Sequence, residues 1–298
     1  TQPAVSLALK SLEDSLGLKL FERRGRRLIA VPEARYLYAE SVAVLDRMAQ
    51  ASRTMRDLSA AATGQLNLAT MPGPATVLFP NFVSRVLERA PSVTASLLTR
   101  SSRQIRELVR TQAIDFAFGD YDPHLSSLDE STETVISGDC FLGVRRDHEL
   151  ASKDEVDLAD LSGVQIGRMQ PDSWMDRAMT NALQESGVNV ETRVRSQTVA
   201  PLLQFLDAGQ CAAVLDPLTI ASYERSGDKL ADVAFIRLKQ RLRYSYVALT
   251  PNFRPVSLLA RRVRDEWIDE VVAHLQSIGA SPETEVGDTT ARPPPPKG

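Results

Sequence analysis

Apolar residues recur at helical spacing over the first sixteen positions of the chain. Val5, Leu9, Leu12 and Leu16 follow steps of three and four and form one stripe of a helix. Pro3 stands at the first helical position, after polar residues that can cap the helix, and this order is typical of a helix start. The pattern therefore predicts an amphipathic helix whose apolar stripe packs against another element.

A longer helical pattern begins at Pro32 and runs to about residue 61 without Gly or a further Pro. Its apolar and small residues recur at alternating steps of three and four residues over more than three heptads, and they form a seam along one side of the helix. The helix would span roughly 40 Å at about 1.5 Å per residue. Because its flanks are charged, we expect the seam to pack against a second copy of the chain, as a homodimer or homotetramer. The alternative is a helix that lies on its own domain. The expected dimerisation residues are Leu37, Val44, Met48 and Met55.

Beyond a hinge at residues 60–64, β-rich runs alternate with helical segments. This order predicts an α/β fold with an open, largely parallel sheet. The expected strands are 65–70, 93–99, 116–119, 164–167, 191–195, 211–215 and 244–250. The expected helices are 74–90, 102–112, 173–186, 199–207 and 257–278. Residues 281–298 are polar and contain four consecutive prolines, so we expect a disordered tail.

Charge is unevenly distributed, although the chain of 298 residues carries a formal net charge of only −3. Residues 1–27 hold six basic and three acidic side chains. Two short extended runs flank Gly25 and predict a β-hairpin with four arginines at its tip. Beside a helix-turn-helix, such a hairpin is a wing that contacts phosphate or a narrow minor groove. The alternative is a solvated basic turn.

DNA contacts are expected from the start of the first helix, where a helix-turn-helix protein places its base-reading side chains. Gln2 can pair bidentately with adenine, and Ser6 is a short donor on the same part of the helix. Lys10 is a candidate phosphate contact. Because a domain rarely starts inside such a unit, we expect an earlier helix to precede residue 1. The expected DNA-binding residues are Thr1, Gln2, Pro3, Ser6, Lys10, Arg23, Arg24, Arg26 and Arg27.

Other classes of protein find little support in the sequence. No apolar run approaches the roughly 18 residues of a membrane span. Cys140 and Cys211 stand singly in apolar surroundings, as expected of reduced thiols in the cytoplasm. The histidines match no zinc spacing, and neither a Gly-rich phosphate loop nor a nucleophile elbow follows a strand. We expect no membrane partner, no metal, no cofactor and no enzymatic activity.

A family resemblance rests on the segment Thr-Gln-Pro-Ala-Val-Ser at residues 1–6, followed by Leu12-Glu13, Leu16-Gly17 and Leu20-Phe-Glu-Arg23. These motifs resemble the recognition helix and wing of the bacterial LysR-type transcriptional regulators. The resemblance implies an effector domain with the two-lobed fold of periplasmic binding proteins (type 2). It implies a partial winged helix-turn-helix at 1–31, a linker helix at 32–61, and an effector domain at 65–280 with lobe 1 at 65–143 and 245–278 and lobe 2 at 144–244.

Two further segments, Met71-Pro-Gly-Pro-Ala75 and Leu215-Asp-Pro-Leu-Thr219, are most similar to the subgroup that senses opines and basic amino acids. The resemblance implies double-stranded DNA and a small anionic or zwitterionic metabolite as partners. Ligand-driven closure of the lobes would change how operator half-sites are bound. The alternative is a stand-alone solute-binding protein of the same two-lobed fold.

The effector is expected at the carboxyl ends of strands, where helix N-termini favour anions. Ser102 and Thr198 could bind a carboxylate, although helix capping alone would explain both. Arg100 and Arg168 could form a charge-assisted fork, with a surface charge as the alternative. Asp216 or Asp120 could contact an amino or guanidino group. The expected effector-binding residues are Met71, Pro72, Gly73, Thr76, Arg100, Ser101, Ser102, Arg168, Thr198 and Asp216.

Overall fold

The computed structural model of the chain describes residues 2–24, 27–59, 64–126, 131–171, 173–226, 232–253 and 255–286. It contains two compact units, Thr1–Arg53 and Thr54–Gly298, hereafter the N-terminal and C-terminal units. In the described residues, no helix combines the length and apolarity that a membrane crossing requires.

The N-terminal unit begins with the predicted helix, α1 (Gln2–Leu16), and continues into the predicted hairpin, β1 (Phe21–Arg24) and β2 (Arg27–Ala30). Gly17, at a φ of +66°, ends α1, and the Leu18 N–H donates to the Glu13 carbonyl oxygen at 3.3 Å. This is the Schellman arrangement, in which a left-handed glycine closes a helix. Helix α2 (Pro32–Ser59) follows and extends into the C-terminal unit.

The C-terminal unit holds the remaining strands and helices. Its strands are β3 (Gly64–Thr70), β4 (Val93–Thr99), β5 (Phe116–Asp120), β6 (Ser131–Asp139), β7 (Phe141–Arg145), β8 (Glu155–Val156), β9 (Gln165–Met169), β10 (Glu191–Ser196), β11 (Ala213–Leu215), β12 (Val233–Leu238), β13 (Arg243–Pro251) and β14 (Glu283–Val286). Its helices are α3 (Pro72–Ala75), α4 (Leu78–Arg89), α5 (Ser102–Arg110), α6 (Trp174–Glu185), α7 (Val199–Asp207), α8 (Pro217–Ser226) and α9 (Leu258–Ser277). The hydrophobic pattern missed β6, β7, β8, β12, β14 and α8.

The first sheet has the strand order β14-β6-β13-β5-β3-β4 and forms lobe 1. Strand β3 runs parallel to β4 and β5, whereas β13 runs antiparallel to β5 and β6. The prediction of a largely parallel sheet is therefore wrong. The reason is that β6 and β13 carry the chain out of lobe 1 and back into it. One face of the sheet packs on Trp267 of α9, which is fully buried against Phe79 and Phe118 at ring distances of 4.8 and 5.5 Å.

The second sheet forms lobe 2 and is also mixed. Strands β11, β7, β12 and β8 lie in that order, and β9 pairs with β10. A parallel bridge between Ile166 and Ala212 joins the two groups of strands. On one side of the sheet, Met179 and Leu183 of α6 pack with Leu142 and Ile166 in a core separate from that of lobe 1.

The chain passes between the lobes at Cys140 and again at Leu242, where the Cys140 N–H donates to the Leu242 carbonyl oxygen at 2.8 Å. Strand β7 lies wholly in the second sheet and β13 wholly in the first. The predicted lobe boundaries, after residues 143 and 244, are therefore a few residues too late. The pattern could not locate them, because strand formation continues on both sides of each crossing.

Helix α8 follows a strand of lobe 2 but packs on α3 and α9 of lobe 1. The close approach of α8 and α9 to β6 requires a glycine at position 138, since a Cβ there would lie 3.0 Å from Cγ of Pro217 and 2.6 Å from Cδ2 of Leu275. Helix α8 thus connects a strand of lobe 2 to the helices of lobe 1 near the end of β11.

The predicted disorder of residues 281–298 is wrong for part of that range. Strand β14 pairs antiparallel with β6 at the edge of the first sheet. Its Glu283 forms ion pairs with Arg241 and Arg243, at 3.0 Å in the first case. An open sheet edge can pair with a polar segment, and composition alone does not reveal such a partner. Residues 287–298 lie outside the described residues.

Candidate functional site

Two of the predicted DNA contacts lie on α1, along which Val5, Leu12 and Leu16 of the predicted apolar stripe are exposed rather than packed. Ser6 and Lys10 are both exposed and lie one helical turn apart on the same side of the helix. The backbones of Gln2 and Pro3 belong to α1, but their side chains, and the whole of Thr1, lie outside the described residues.

The wing is fixed to the end of α1 by Glu13, whose role the sequence analysis did not identify. Its Oε1 accepts the N–H of Leu20 at 2.7 Å and that of Phe21 at 3.2 Å, so the carboxylate holds the first residues of β1. This contact depends on the tight turn at Gly17, which spacing alone does not show. The backbones of Arg23, Arg24 and Arg27 lie in the hairpin, whereas Arg26 and all four arginine side chains lie outside the described residues.

Helix α2 exposes part of its predicted seam. Val44 and Met48 are 55% and 64% exposed. Leu37 is half-buried and lines an apolar pocket with residues of the same unit, so it is less exposed than these two. The side chain of Met55 lies outside the described residues. Val44 and Met48 are therefore the described members of the seam that remain open to a second copy.

In the C-terminal unit, Ser102 and Asp120 meet at the carboxyl end of β5. The Ser102 Oγ donates to Asp120 Oδ2 at 2.7 Å and accepts the Asp120 N–H at 2.9 Å. The Tyr244 hydroxyl donates to the other carboxylate oxygen of Asp120. The cap of α5 is Ser101, in a capping box with Gln104. Ser101 therefore caps α5, and the hydroxyl of Ser102 is hydrogen-bonded to Asp120.

A second carboxylate, Asp216, lies beside this group at the start of α8. The Tyr246 hydroxyl donates to Asp216 Oδ1 at 2.5 Å and accepts the Leu218 N–H at 3.0 Å. Thr219 donates to both oxygens of the carboxylate, at 3.1 and 2.5 Å. The rings of Tyr244 and Tyr246 are 5.0 Å apart. Asp120, Tyr244, Tyr246 and Asp216 thus form one continuous group, hereafter the Asp–Tyr ladder.

Burial controls the protonation of the Asp–Tyr ladder. Burial raises the pKa of Asp120, the repulsion from Asp216 adds to the rise, and the hydrogen bonds from Tyr244 and Ser102 oppose it. Burial, followed by the charge of the adjacent aspartate, raises the pKa values of Tyr244 and Tyr246 well above their ordinary value. Both tyrosines therefore stay protonated and act as donors.

Two residues of the predicted Met71–Ala75 segment lie against neighbours of the Asp–Tyr ladder, Phe118 and Thr219. Met71 is buried and donates its N–H to the Phe118 carbonyl oxygen at 2.9 Å. A Cβ on Gly73 would lie 3.8 Å from Oγ1 of Thr219, which itself donates to Asp216. Pro72 and Thr76 are exposed, and the Thr76 hydroxyl donates to the Gly73 carbonyl oxygen at 3.5 Å.

The two arginines of the predicted fork, Arg100 and Arg168, both make hydrogen bonds within the protein. Arg168 is only 10% exposed; its Nε lies 2.6 Å from Asp176 Oδ1, and its Nη2 donates to the Asp176 carbonyl oxygen and to Thr180. Its guanidinium is therefore engaged inside lobe 2, and its role as a ligand stays a prediction. Arg100 is exposed and donates to the Thr99 carbonyl oxygen at 2.8 Å. Thr198 is half-buried at the start of α7, where its side chain makes no capping bond.

An ion pair between the lobes was also missed. The Arg177 Nη2 of α6 lies 2.8 Å from Asp122 Oδ2, just beyond β5, and the guanidinium lies over the ring of Trp174 at 5.8 Å. The partners are 55 residues apart on different lobes, so no spacing in the sequence could indicate the pair. No metal-binding group of three or more His, Cys, Asp or Glu side chains occurs within the described ranges.

Comparison with known proteins identifies both units. Residues 1–35 match the family described as bacterial regulatory helix-turn-helix protein, lysR family, and residues 59–271 match the LysR substrate binding domain. The regulatory protein NocR of Agrobacterium tumefaciens (strain T37) is 27% identical over 277 residues, 92% of this chain and 89% of that protein. The octopine catabolism/uptake operon regulatory protein OccR of Rhizobium meliloti is 28% identical over 166 residues, 56% of this chain and 54% of that protein.

Among solved structures, full-length CbnR in complex with its target DNA has the same fold, with a TM-score of 0.67 at 18% identity. The similarity covers 93% of this chain and 90% of that one. The prediction of a regulator is confirmed, whereas the alternative of a stand-alone solute-binding protein has no support. The chain belongs to the LysR family of transcriptional regulators, which bind DNA through a helix-turn-helix, bind a small-molecule effector in a two-lobed domain, and form oligomers.

Proposed function

We propose that the effector of this regulator is a zwitterionic or anionic metabolite of the opine or amino-acid class, bound between the lobes at the Asp–Tyr ladder. The observation that carries the proposal is the ladder itself. It joins Asp120, at the end of a lobe 1 strand, to Asp216, which follows a lobe 2 strand. The relative OccR, named for an octopine operon, supports the same ligand class.

Binding would control DNA through the angle between the lobes. A ligand held by both lobes favours the closed arrangement, and closure changes how the subunits of an oligomer present their recognition helices. Coupling of about 1–3 kcal/mol is enough for such control, and it acts in both directions between operator and effector. Ser6, Lys10 and the wing arginines would make the operator contacts.

The site favours binding without turnover. Cys140 is a candidate nucleophile, but burial, together with the charges of Asp216 and Asp139, raises the pKa of its thiol well above the ordinary value. A thiol that does not ionise is a poor nucleophile. We therefore propose that the protein is not an enzyme and acts in the cytoplasm, where its operator DNA lies.

The test is a ligand screen on the whole chain. Octopine, L-arginine and L-lysine are compared with benzoate in thermal unfolding, and hits are repeated by calorimetry. A true effector present at about 100 times its Kd adds roughly 2.7 kcal/mol to the free energy of unfolding. Operator affinity is then measured by fluorescence anisotropy with and without the hit. Stabilisation by benzoate and by none of the amino-acid derivatives would overturn the ligand class.

A further inference from the structure

We propose that Asp120, rather than the predicted Asp216, is the residue that binds a cationic ammonium or guanidinium group of the effector. The inference rests on the proposed function, because it assigns a specificity-determining residue within the same cleft. Three observations on the described residues carry it.

The first observation is the neutral environment of Asp120. Its hydrogen bonds come from Ser102 and Tyr244, which are both uncharged. By contrast, Asp176 and Glu133, which are buried in the same unit, each bind an arginine. A carboxylate removed from water is normally paired with a cation. Within the described part of the protein, Asp120 thus lacks the arginine partner that Asp176 and Glu133 have.

The second observation is the difference between the two carboxylates of the Asp–Tyr ladder. Asp216 is only 4% exposed and already accepts hydrogen bonds from Tyr246 and from both donors of Thr219. Asp120 is half-buried at the end of its strand and accepts one side-chain hydrogen bond at each oxygen. A carboxylate offers about four acceptor positions. Each oxygen of Asp120 therefore retains one, which suits an ammonium or a bidentate guanidinium.

The third observation is independent of the carboxylates. Thr70 is only 2% exposed, and its hydroxyl has no hydrogen-bond partner among the described residues. Thr70 stands opposite Phe118 in the sheet, and Phe118 and Asp120 point to the same face because side chains alternate along a strand. The hydroxyl of Thr70 therefore lies on the ladder's face, at the same end of the sheet. Buried hydroxyls are rarely left without a partner, and a polar group of a ligand at this position would supply one.

The experiment uses the whole chain and matched probes. L-Arginine is compared with L-citrulline, which replaces the guanidinium by a neutral urea of similar shape, and with N-acetyl-L-arginine, which lacks the ammonium group. Binding is measured by calorimetry for the wild type, for Asp120→Asn, and for the control Asp160→Asn, whose carboxylate pairs with Lys153 on the surface of lobe 2. Circular dichroism confirms that each variant folds.

The wild type should bind L-arginine at least about tenfold more tightly than one of the two probes, each of which lacks one of the two cationic groups of L-arginine, and this factor corresponds to about 1.4 kcal/mol. Asp120→Asn should remove that preference, and Asp160→Asn should keep it. Tight binding of L-arginine by a folded Asp120→Asn variant would overturn the inference and leave the proposed function standing. If the wild type binds benzoate but none of the amino-acid probes, the proposed ligand class fails and the inference fails with it.

Discussion

The Arg177 guanidinium on α6 lies 2.8 Å from the Asp122 carboxylate beyond β5, and this ion pair joins the two lobes of the effector domain. Asp122 is 14% exposed and Arg177 is 41% exposed, so water screens the pair in part. The contact exists only while the lobes lie close together. It therefore favours the closed arrangement in the absence of ligand.

Replacing Arg177 by Ala should shift the effector domain toward open arrangements. A partly exposed ion pair contributes about 0.2–1 kcal/mol, so we expect effector affinity to fall by about 1.4- to fivefold. Calorimetry measures the affinity, and small-angle scattering of the unliganded protein should show a larger radius of gyration. The control is Arg262→Ala, because Arg262 pairs with Glu266 within α9 and this ion pair does not connect the two lobes. Equal affinity and scattering for Arg177→Ala and the control would argue against a closing role.

Arg168 should be important for folding rather than for ligand contact. Its partner Asp176 is 6% exposed, and removing one member of a buried ion pair costs about 3–5 kcal/mol. We expect Arg168→Ala near the lower end of that range, because Arg195 also contacts Asp176, at 3.1 Å. Urea unfolding measures the loss, and Arg195→Ala, at a site that is 34% exposed, should cost less than about 1 kcal/mol. If Arg168→Ala kept full stability and lost only effector binding, Arg168 would be a ligand residue, as the sequence predicts.

The parts of the fold that the sequence predicts well are those fixed by local contacts. The stripe ending at Leu16 predicts α1, and Pro32 correctly marks the start of α2. The antiparallel return of β13 and the edge strand β14 depend instead on partners far along the chain. The polar sequence of β14 has no period-two pattern of apolar residues, so its strand exists only because β6 offers an edge.

In the candidate site, too, the sequence predicts what local position determines and misses what depends on distant partners. Asp216 is identifiable because it follows an apolar strand and precedes a proline, a position at which side chains reach a cleft. Arg168 stands at a similar strand end, but its guanidinium turns toward Asp176 on the next helix. Charge alone could not tell the two outcomes apart. The pairing of Asp122 with Arg177 depends on how the lobes meet, which no local pattern encodes.

The stability of the protein should reveal the ionisation of Asp120. Its pKa is raised in the folded state, chiefly by burial, so the folded protein holds this proton more strongly than the unfolded chain does. Its contribution to stability is therefore greatest below the unfolded pKa and declines as the pH rises toward the folded value. Asp120→Asn should remove this decline, and the difference in unfolding free energy between variant and wild type should change with pH above about 4.

The control residue for that experiment, Asp160, has a pKa that is shifted in the opposite direction. The hydrogen bond from Lys153 lowers the pKa of Asp160, so Asp160 contributes stability above its unfolded pKa and loses that contribution as the pH falls. Urea unfolding at several pH values measures the difference in unfolding free energy between each variant and the wild type. The change of this difference with pH should have opposite signs for Asp120→Asn and Asp160→Asn. The same sign for both would show that burial does not control Asp120.

Val44 and Met48 should hold the oligomer together through α2. Both are exposed in the single chain, and burying a side chain of this size contributes about 1.5–3 kcal/mol. We expect the double variant Val44→Glu with Met48→Glu to raise the dissociation constant of the dimer by at least about a hundredfold, because four carboxylates would meet in one seam. Sedimentation equilibrium measures this change, and circular dichroism should show that α2 remains helical. Arg47→Glu, an exposed change on the flank of the same helix, should leave the dimer intact. A dimer that survives the double variant would place the contact on another surface.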